Sequence, residues 1–561
     1  MKDIIKNAPD YSAYTHKFDS YAYSGPNDGW WHRDGERFYA GKELRTVEGY
    51  KDYKDAGLNI YFPQTDALIG VFYPGNVKVC DWDKDVWEKR QAAWEDVKIY
   101  WDRAYEAGLD RIIMMERQIQ LWSSVANGML VKPAHVVIPD GEQSPYTFDS
   151  EEQFEEIIAK VLKPYINHPG FYGVMLHDEP GFAYVEAYGQ TYRAVKRVAK
   201  KVYNKDIFVQ HNLFPMRTAI TAGVYTIFPL LDWYENKENA ISKDEYWAWV
   251  AGNAPNQEVI TPAEKVREIL EAELAAYGGN IVDVASLKFA RYLEEFVRSM
   301  GSDYVQYDDY PLKATGDKVH TLGCYLRTLQ VAAGVAKKLN IDLQMVSQSF
   351  ASEEKHGSCM HLHSEDECRW INNILLAFGV SQINYYTYIA KKSNSASDLY
   401  YLNNGSFITR EGEKTDIYYA YQKINQENNK FAPTKLNFKY QGSRIYNGTP
   451  LNYQTECCWD KFVDNSYQLQ ELQDIQVDRE TALVTESYDK ENDRYMICVQ
   501  NMVLPVHKGE NTDQTAVLSF DSKKYQYAAI YRKGERTLRT LENGKLTIKN
   551  TAGEAAFVIP Y

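Results

Sequence analysis

Two pairs of adjacent acids, each closed off by a proline, are the groupings most able to do chemistry: His177-Asp178-Glu179-Pro180 and Tyr307-Asp308-Asp309-Tyr310-Pro311. Neighbouring carboxyls suit acid–base work, because a crowded acidic surrounding raises the pKa of one of them and keeps a proton on it. Both pairs also have a plain structural reading: a helix cap and an ion pair with a basic side chain for the first, a helix cap and a surface acid for the second. A further acid, Glu116, stands beside Arg117, a pairing that reads first as an ion pair. Gln210-His211-Asn212 offers neutral hydrogen-bonding groups suited to hydroxyls. The run HGSCMHLHSEDEC brings Cys359, His361, His363 and Cys368 together in sequence. Cys-x-His-x-His could bind zinc, although the spacing matches no standard zinc pattern. Vicinal Cys457 and Cys458 carry no assigned chemistry.

For these groups to meet, the chain must bring them to one end of a common sheet. Short β-rich runs alternate with longer helical patterns up to about residue 430, a rhythm of βα units and a parallel sheet. Eight strands are predicted, at 18–24, 58–62, 111–116, 171–176, 207–213, 304–307, 343–348 and 382–386. Ser150 with Gln153 opens a helix as a capping box would, and Gly57 and Gly108 stand where helices should stop. A largely helical insertion, about 228–300, separates the fifth and sixth strands. The expected fold is α/β: an enlarged (β/α)8 TIM barrel over 1–435. From 436 to 561, alternating stretches such as RYMICVQNMV and AAFVIPY, set between turn-like KGE, ENG and AGE, predict an antiparallel β-sandwich domain. In such a barrel reactive groups sit at the C-terminal strand ends, where both acid pairs fall. Pleating sends Asp308 and Asp309 to opposite sides, so one of them faces the barrel mouth.

Composition narrows the function classes. Of 561 residues, 44% are hydrophobic and 25% charged, the balance of a globular protein. The net charge of −14 argues against nucleic acid or an anionic membrane as partner, since both reward a basic patch. No run reaches the ~18 apolar residues of a membrane span. The opening MKDIIKNAPDYSAY has no apolar targeting core, and seven scattered cysteines fit free thiols; a cytoplasmic protein is expected. Tyrosine is abundant, at 45 against 21 Phe and 12 Trp. Its flat apolar face and polar handle suit sugar rings as well as protein cores. The phosphate-binding glycine motifs, HExxH and GxSxG are absent, so no nucleotide cofactor or resident metal is expected.

The segments GVMLHDEPG, DYVQYDDYPL and AFGVSQINYYTY resemble the clan A (β/α)8 glycoside hydrolases. The nearer likeness is to family 42-type β-galactosidases and to bacterial glycosidases with a DEP signature. The tail KLTIKNTAGEAAFVIPY is similar to the closing β-domain of such enzymes. The resemblance implies a carbohydrate substrate, no cofactor, and Glu179 as the acid/base, with Asp178 where the clan has Asn. The clan's nucleophile is a glutamate ending the seventh strand. Here that strand ends Ser347-Gln348-Ser349-Phe350, with no acid before Glu353. The second carboxylate then shifts to Asp309, Asp308 or Glu116, with Glu353 and Glu354 in reserve. The expected roles are Glu179 as proton donor and Asp309 as base or nucleophile. Tyr307, Tyr310, Trp122, His211, Asn212, Asp178, His177, Asp308, Gln348 and Tyr386 are expected around the sugar. The favoured activity is exo-acting cleavage of small oligosaccharides or glycosides, β-galactosidase-like, with assembly into homo-oligomers left open. Two alternatives stand beside it: a carbohydrate-binding barrel without catalysis, and a metal-dependent hydrolase using Cys359, His361 and His363.

Overall fold

The computed structural model describes residues 2–26, 30–31, 37–38, 43–63, 84–125, 130, 148–219, 271–354, 359–390, 401–451, 453 and 462–561. Cys457, Cys458 and most of the expected helical insertion lie outside these residues. The chain is mixed α/β with a β-rich C-terminal part.

Six parallel strands form two sheets in the first part. Strands β1 (Ile112–Met114), β2 (Phe171–Asp178) and β3 (Phe208–Asn212) pair in that order. Strand β4 (Tyr304–Asp309) is followed by a hairpin, β5 (Leu312–Thr315) and β6 (Lys318–Thr321), that the sequence pattern did not announce. Strand β7 (Asp342–Gln348) lies between β4 and β8 (Val380–Tyr386). Leu213 joins the two sheets through a parallel bridge to Tyr307. On the far side, Tyr61 bridges Ile112, while Asp19 and Ala22 bridge Gln382 and Tyr385. Segments 18–24 and 58–62 meet through Ile60 N–H to Ser20 O (3.0 Å) and Gly25 N–H to Phe62 O (3.2 Å). Backbone pairing thus passes through eight extended segments and returns to the first.

Local chemistry explains the elements. Gly173 in β2 is required, because a Cβ there would meet Phe208 O at 1.9 Å. Helices stop where the chain turns left-handed: Gly57 and Gly108, at φ 86° and 85°, return it to the strands. Ser150 accepts from Gln153 N–H and caps the helix Glu151–Leu162. An apolar layer fills the space between strands and helices, with Val174, Leu176, Val305 and Met345 inside it. Within the ring, Tyr21, Ile60, Ile113, Met175 and Val346 pack together.

In the C-terminal part, a six-stranded antiparallel sheet (Lys439–Asn447, Thr481–Asp489, Arg494–Asn501, Ala555–Pro560, Tyr527–Arg532, Glu535–Thr540) faces a three-stranded one (Asp474–Val477, Gln514–Ser519, Lys545–Asn550). Val484, Ile497 and Val558 of the first meet Ile475, Leu518 and Ile548 of the second in one buried cluster. Thr485 Oγ1 and Gln500 Nε2 donate to Ala377 O (3.0 Å) and Trp370 O (3.1 Å), tying this part to the helix Glu365–Ala377. Among the described residues no helix is long and apolar enough to cross a membrane.

Candidate active site

Strand β2 ends at Asp178, and Glu179 follows with φ 47°. That left-handed conformation costs about 1–2 kcal/mol for a residue with a Cβ, so the surroundings must hold it. They do: Glu179 N–H donates to Asn212 O at 3.0 Å. The Tyr292 hydroxyl donates to Pro180 O at 2.6 Å and accepts from Phe214 N–H at 3.2 Å. The Glu179 side chain is half-buried.

On β4 the pleat separates the two acids. Asp308 shares a face with Gln306 and turns into the ring. Asp309 shares a face with Tyr307, whose ring packs edge-on against Phe289 (5.6 Å) of the helix Ile281–Met300. The buried carboxyl of Asp308 adjoins Glu179 and the Tyr310 hydroxyl, close enough to shift its titration and theirs. Its Oδ1 has no hydrogen-bond partner, and neither does Asp309 Oδ2. Asp309 Oδ1 accepts from Tyr310 N–H at 3.0 Å and lies 3.7 Å from Arg217 Nε. Arg217 comes from the single turn Met216–Ala219 after β3, and its guanidinium is 5.8 Å from the Tyr310 ring centre.

The electrostatics follow from burial and crowding. Desolvation, then the charges of Asp308 and Asp178, lift Glu179 well above the usual carboxyl range, with Arg217 opposing. Desolvation also raises Asp308, against its Tyr310 hydrogen bond and Arg217. Asp309 is pushed up to about 6 by burial, again against Arg217. Burial alone would lower Arg217, yet Asp309 and Asp308 hold it above its ordinary value. Both carboxyls are thus biased towards their protonated forms, Glu179 the more strongly, because two neighbouring desolvated charges of like sign oppose each other's ionisation. A neutral Glu179 carboxyl beside an ionised partner can donate a proton at neutral pH and take it back.

Asp178 is exposed, and its Oδ1 accepts from Asn212 Nδ2 (3.1 Å) and the Tyr23 hydroxyl (3.4 Å). Below it an amide–phenol network crosses the ring: Gln210 Nε2 donates to the Tyr21 and Tyr23 hydroxyls, and Gln306 Nε2 donates to Tyr21. Aromatic rings stand beside the acids. Tyr310 lies 5.7 Å from Tyr386 and 5.2 Å from Phe350, and Tyr386 lies 5.8 Å from Tyr23.

The expected residues thus divide. Glu179, Asp178, Asp308, Asp309, Tyr310, Asn212 and Tyr386 come together. The others are engaged elsewhere. Glu116 caps the helix Arg117–Trp122, accepting from Gln118 N–H (3.1 Å), and bonds to buried Arg90 and to the Tyr165 hydroxyl (3.1 Å). Trp122 packs edge-on against Phe154 (5.2 Å) and Phe148. His211 is buried and stacked on Tyr304 at 4.3 Å, and burial lowers its pKa to about 3. His177 is lowered to about 4, chiefly by burial, and its ring lies edge-on to Tyr184. Gln348 Nε2 donates to the carbonyls of Leu312, Phe350 and His361 while its Oε1 accepts from Leu312 N–H. His361 pairs with Glu367 at 2.8 Å, and among the described residues no three His, Cys, Asp or Glu side chains gather as a metal site.

Three residues that the sequence reading did not single out belong here: Arg217, Tyr23 and Tyr292. Tyr23 lies in the first predicted strand, and looking for polar groups at that strand's end would have found it. Arg217 stands five positions beyond β3 in no recognisable motif.

No protein-family model matches the chain, and no curated protein is similar to it. Among solved structures, the chain is similar to a glycoside hydrolase family 5 protein from Bacteroides vulgatus ATCC 8482, at 10% identity over 96% of this chain and 93% of that one, TM-score 0.42. It is also similar to a β-galactosidase from Bacillus circulans sp. alkalophilus, at 10% identity over 98% and 100% of the two chains, TM-score 0.40. A structure described as a glycoside hydrolase is matched at 11% identity over 96% of each chain, TM-score 0.41.

Proposed function

We propose that the protein is a glycoside hydrolase, and that its eight extended segments close as a (β/α)8 barrel followed by a β-sandwich domain from 436 onward. The observation that carries this reading is the adjoining pair of carboxyls, half-buried Glu179 and buried Asp308, at the strand ends beside aromatic rings. Glu179 is the proton donor to the glycosidic oxygen. Asp308 is favoured over Asp309 as the second carboxylate, because it faces Glu179 while Asp309 lies on the helix-facing side. Glu116 is held by Arg90 and is set aside.

Adjoining carboxyls are nearer to the roughly 5 Å spacing of retaining enzymes than to the gap of about 6.5–9.5 Å that leaves room for a water in inverting ones, and a bound sugar has to part them. The reading is therefore retention. The sugar enters between the pair; Asp308 attacks the anomeric carbon as Glu179 gives its proton to the departing oxygen. Glu179, now ionised, then takes a proton from the water that releases the sugar from Asp308. The Tyr310 hydroxyl, beside Asp308, orients the nucleophile, and Tyr386 and Tyr310 offer rings to the sugar's C–H face. Arg217 keeps the acids from all taking up protons.

The substrate is proposed to be a small glycoside or oligosaccharide cleaved from its end, a β-galactoside first. A reducing cytoplasm suits the free cysteines among the described residues, Cys324, Cys359, Cys368 and Cys498. Assaying a panel of nitrophenyl glycosides with the wild type, Glu179→Gln and Asp308→Asn tests the reading. Release of nitrophenol by the wild type and its loss in both variants is expected. A folded protein that cleaves none of the panel, or variants as active as the wild type, would overturn it.

A further inference from the structure

At the other end of the strands from the acids, the strand starts enclose a cleft of about 570 Å³, within the ~300–1,000 Å³ of small-molecule sites. Nothing in the proposed reaction uses it. Its depth is lined by two carboxamides on adjacent strands, Gln344 of β7 and Gln382 of β8. Gln344 is only 8% exposed, and its Oε1 has no hydrogen-bond partner. A buried acceptor left unpaired costs about 1–3 kcal/mol, so this atom calls for an incoming donor.

One wall is a stack of three rings. Tyr172 and Phe208 lie 5.1 Å apart, Phe208 and Tyr304 5.4 Å, each pair tilted by only 14°. Stacked rings cover one another's faces and turn their edges outward. Ring edges carry partial positive charge and favour oxygen atoms. The charges around the cleft nearly cancel. Asp19 pairs with Arg111 (2.7 Å), Asp342 with Lys439 (2.6 Å) and Asp206 with Lys200 (2.8 Å). Lys17 and Asp303, both exposed, offset each other, and Lys196, its Nζ 5.4 Å from the centre of the Tyr192 ring, leaves the surroundings about one charge positive. With most of these charges paired, the lining carries no strong excess of either sign.

We infer that this cleft is a second binding site, taking a small neutral polyhydroxylated molecule of mono- to disaccharide size. A hydroxyl donates to Gln344 Oε1, and other hydroxyl oxygens rest against the ring edges. The site stands apart from the acid pair, and its occupancy does not depend on the reaction proposed there.

The test is calorimetric titration of the full chain with glucose, galactose, lactose and myo-inositol, alongside the variants Gln344→Leu and Asp303→Trp. The second variant sits on the exposed rim and plugs the entrance without touching the core. At least one of the four ligands should bind saturably, and both variants should weaken that binding tenfold or more. Hydrolysis of an aryl glycoside, where the wild type shows it, should stay within twofold. Thermal melts report folding; if Gln344→Leu melts early, Asp303→Trp decides alone. The inference falls if none of the four binds, or if binding is untouched by the folded variants, which would assign it to the acid pair instead.

Discussion

Glu179 and Asp308 adjoin one another although their strands are not neighbours: β3 runs between β2 and β4. The left-handed turn at Glu179, tied to Asn212 of β3, brings its carboxyl towards β4, where the inward half of the pleat presents Asp308. Desolvation and the neighbouring acids raise the Glu179 carboxyl, the shift that suits a general acid.

Replacing Glu179 by Gln should lower kcat/KM by about 10²–10⁴, the range for a positioned general acid, with little change in the unfolding midpoint. The wild-type rate should fall as pH rises through the raised pKa of Glu179, since only the protonated form donates. Asp308→Asn removes a charge that raises that pKa. The alkaline limb of any residual activity, and the ¹³C titration of the Glu179 carboxyl, should therefore move to lower pH. A limb that stays in place would separate the two residues.

Asp309 links the site to stability. Its ordinary pKa near 3.8 rises to about 6 in the fold, mainly because it is buried. A carboxyl raised on folding adds stability that is complete below its unfolded pKa and is lost as pH climbs through the folded one. The window here is roughly pH 4 to 6, and a shift of about two units corresponds to about 3 kcal/mol as an upper figure. Asp309→Asn should remove this dependence, so the variant gains on the wild type at pH 8 and not at pH 4. Urea unfolding at the two pH values measures it, and equal differences at both would contradict the assignment.

How much of this was legible beforehand depends on what each residue contributes to pattern. Six of the eight predicted segments overlap observed strands, and 18–24 and 58–62 pair only through isolated bridges at Asp19, Ala22 and Tyr61; β-rich runs bounded by Gly57, Gly108 and the acid–proline stops carry their own signal. The acid pairs were visible for the same reason, as polar residues ending apolar strands. The choice between Asp308 and Asp309 was not, because alternation says that the two diverge without saying which one turns inward. Glu116 was seen beside Arg117, yet its partner is Arg90, 26 positions away on the helix Lys84–Glu106. Arg217 left no trace, since a lone arginine after a strand has no period and no motif. Tertiary pairings of single charges are set by the packing of whole helices, which local sequence does not encode.

Arg217 biases the acids towards their ionised forms. It opposes the upward shifts of Glu179, Asp308 and Asp309 alike. Arg217→Met should therefore raise the pKa of Asp309 above its present value of about 6 and move the acidic limb of activity to higher pH. Stability should drop by about 1–3 kcal/mol at pH 8, where a buried carboxylate loses its charged partner, and by less at pH 5, where it takes up a proton. A pH–rate profile and unfolding at the two pH values check both halves; an unmoved acidic limb would leave Arg217 a packing residue only.

Glu116 distinguishes structure from catalysis most sharply. Its carboxylate is fully buried, accepts from Gln118 N–H, from Tyr165 and from Arg90, and Arg90 is itself only 3% exposed. Glu116→Gln leaves that guanidinium buried without its counter-charge, a loss of about 3–5 kcal/mol. The double variant Arg90→Met/Glu116→Gln should recover part of it, because no charge is then stranded. Per folded molecule, kcat/KM should stay within about twofold of the wild type, since a change of 0.4 kcal/mol or so is all that a distant helix cap transmits. Denaturant unfolding and aryl-glycoside kinetics on the same samples give both numbers. A Glu116→Gln protein that keeps its stability and loses turnover would return this acid to the reaction and displace Asp308 from it.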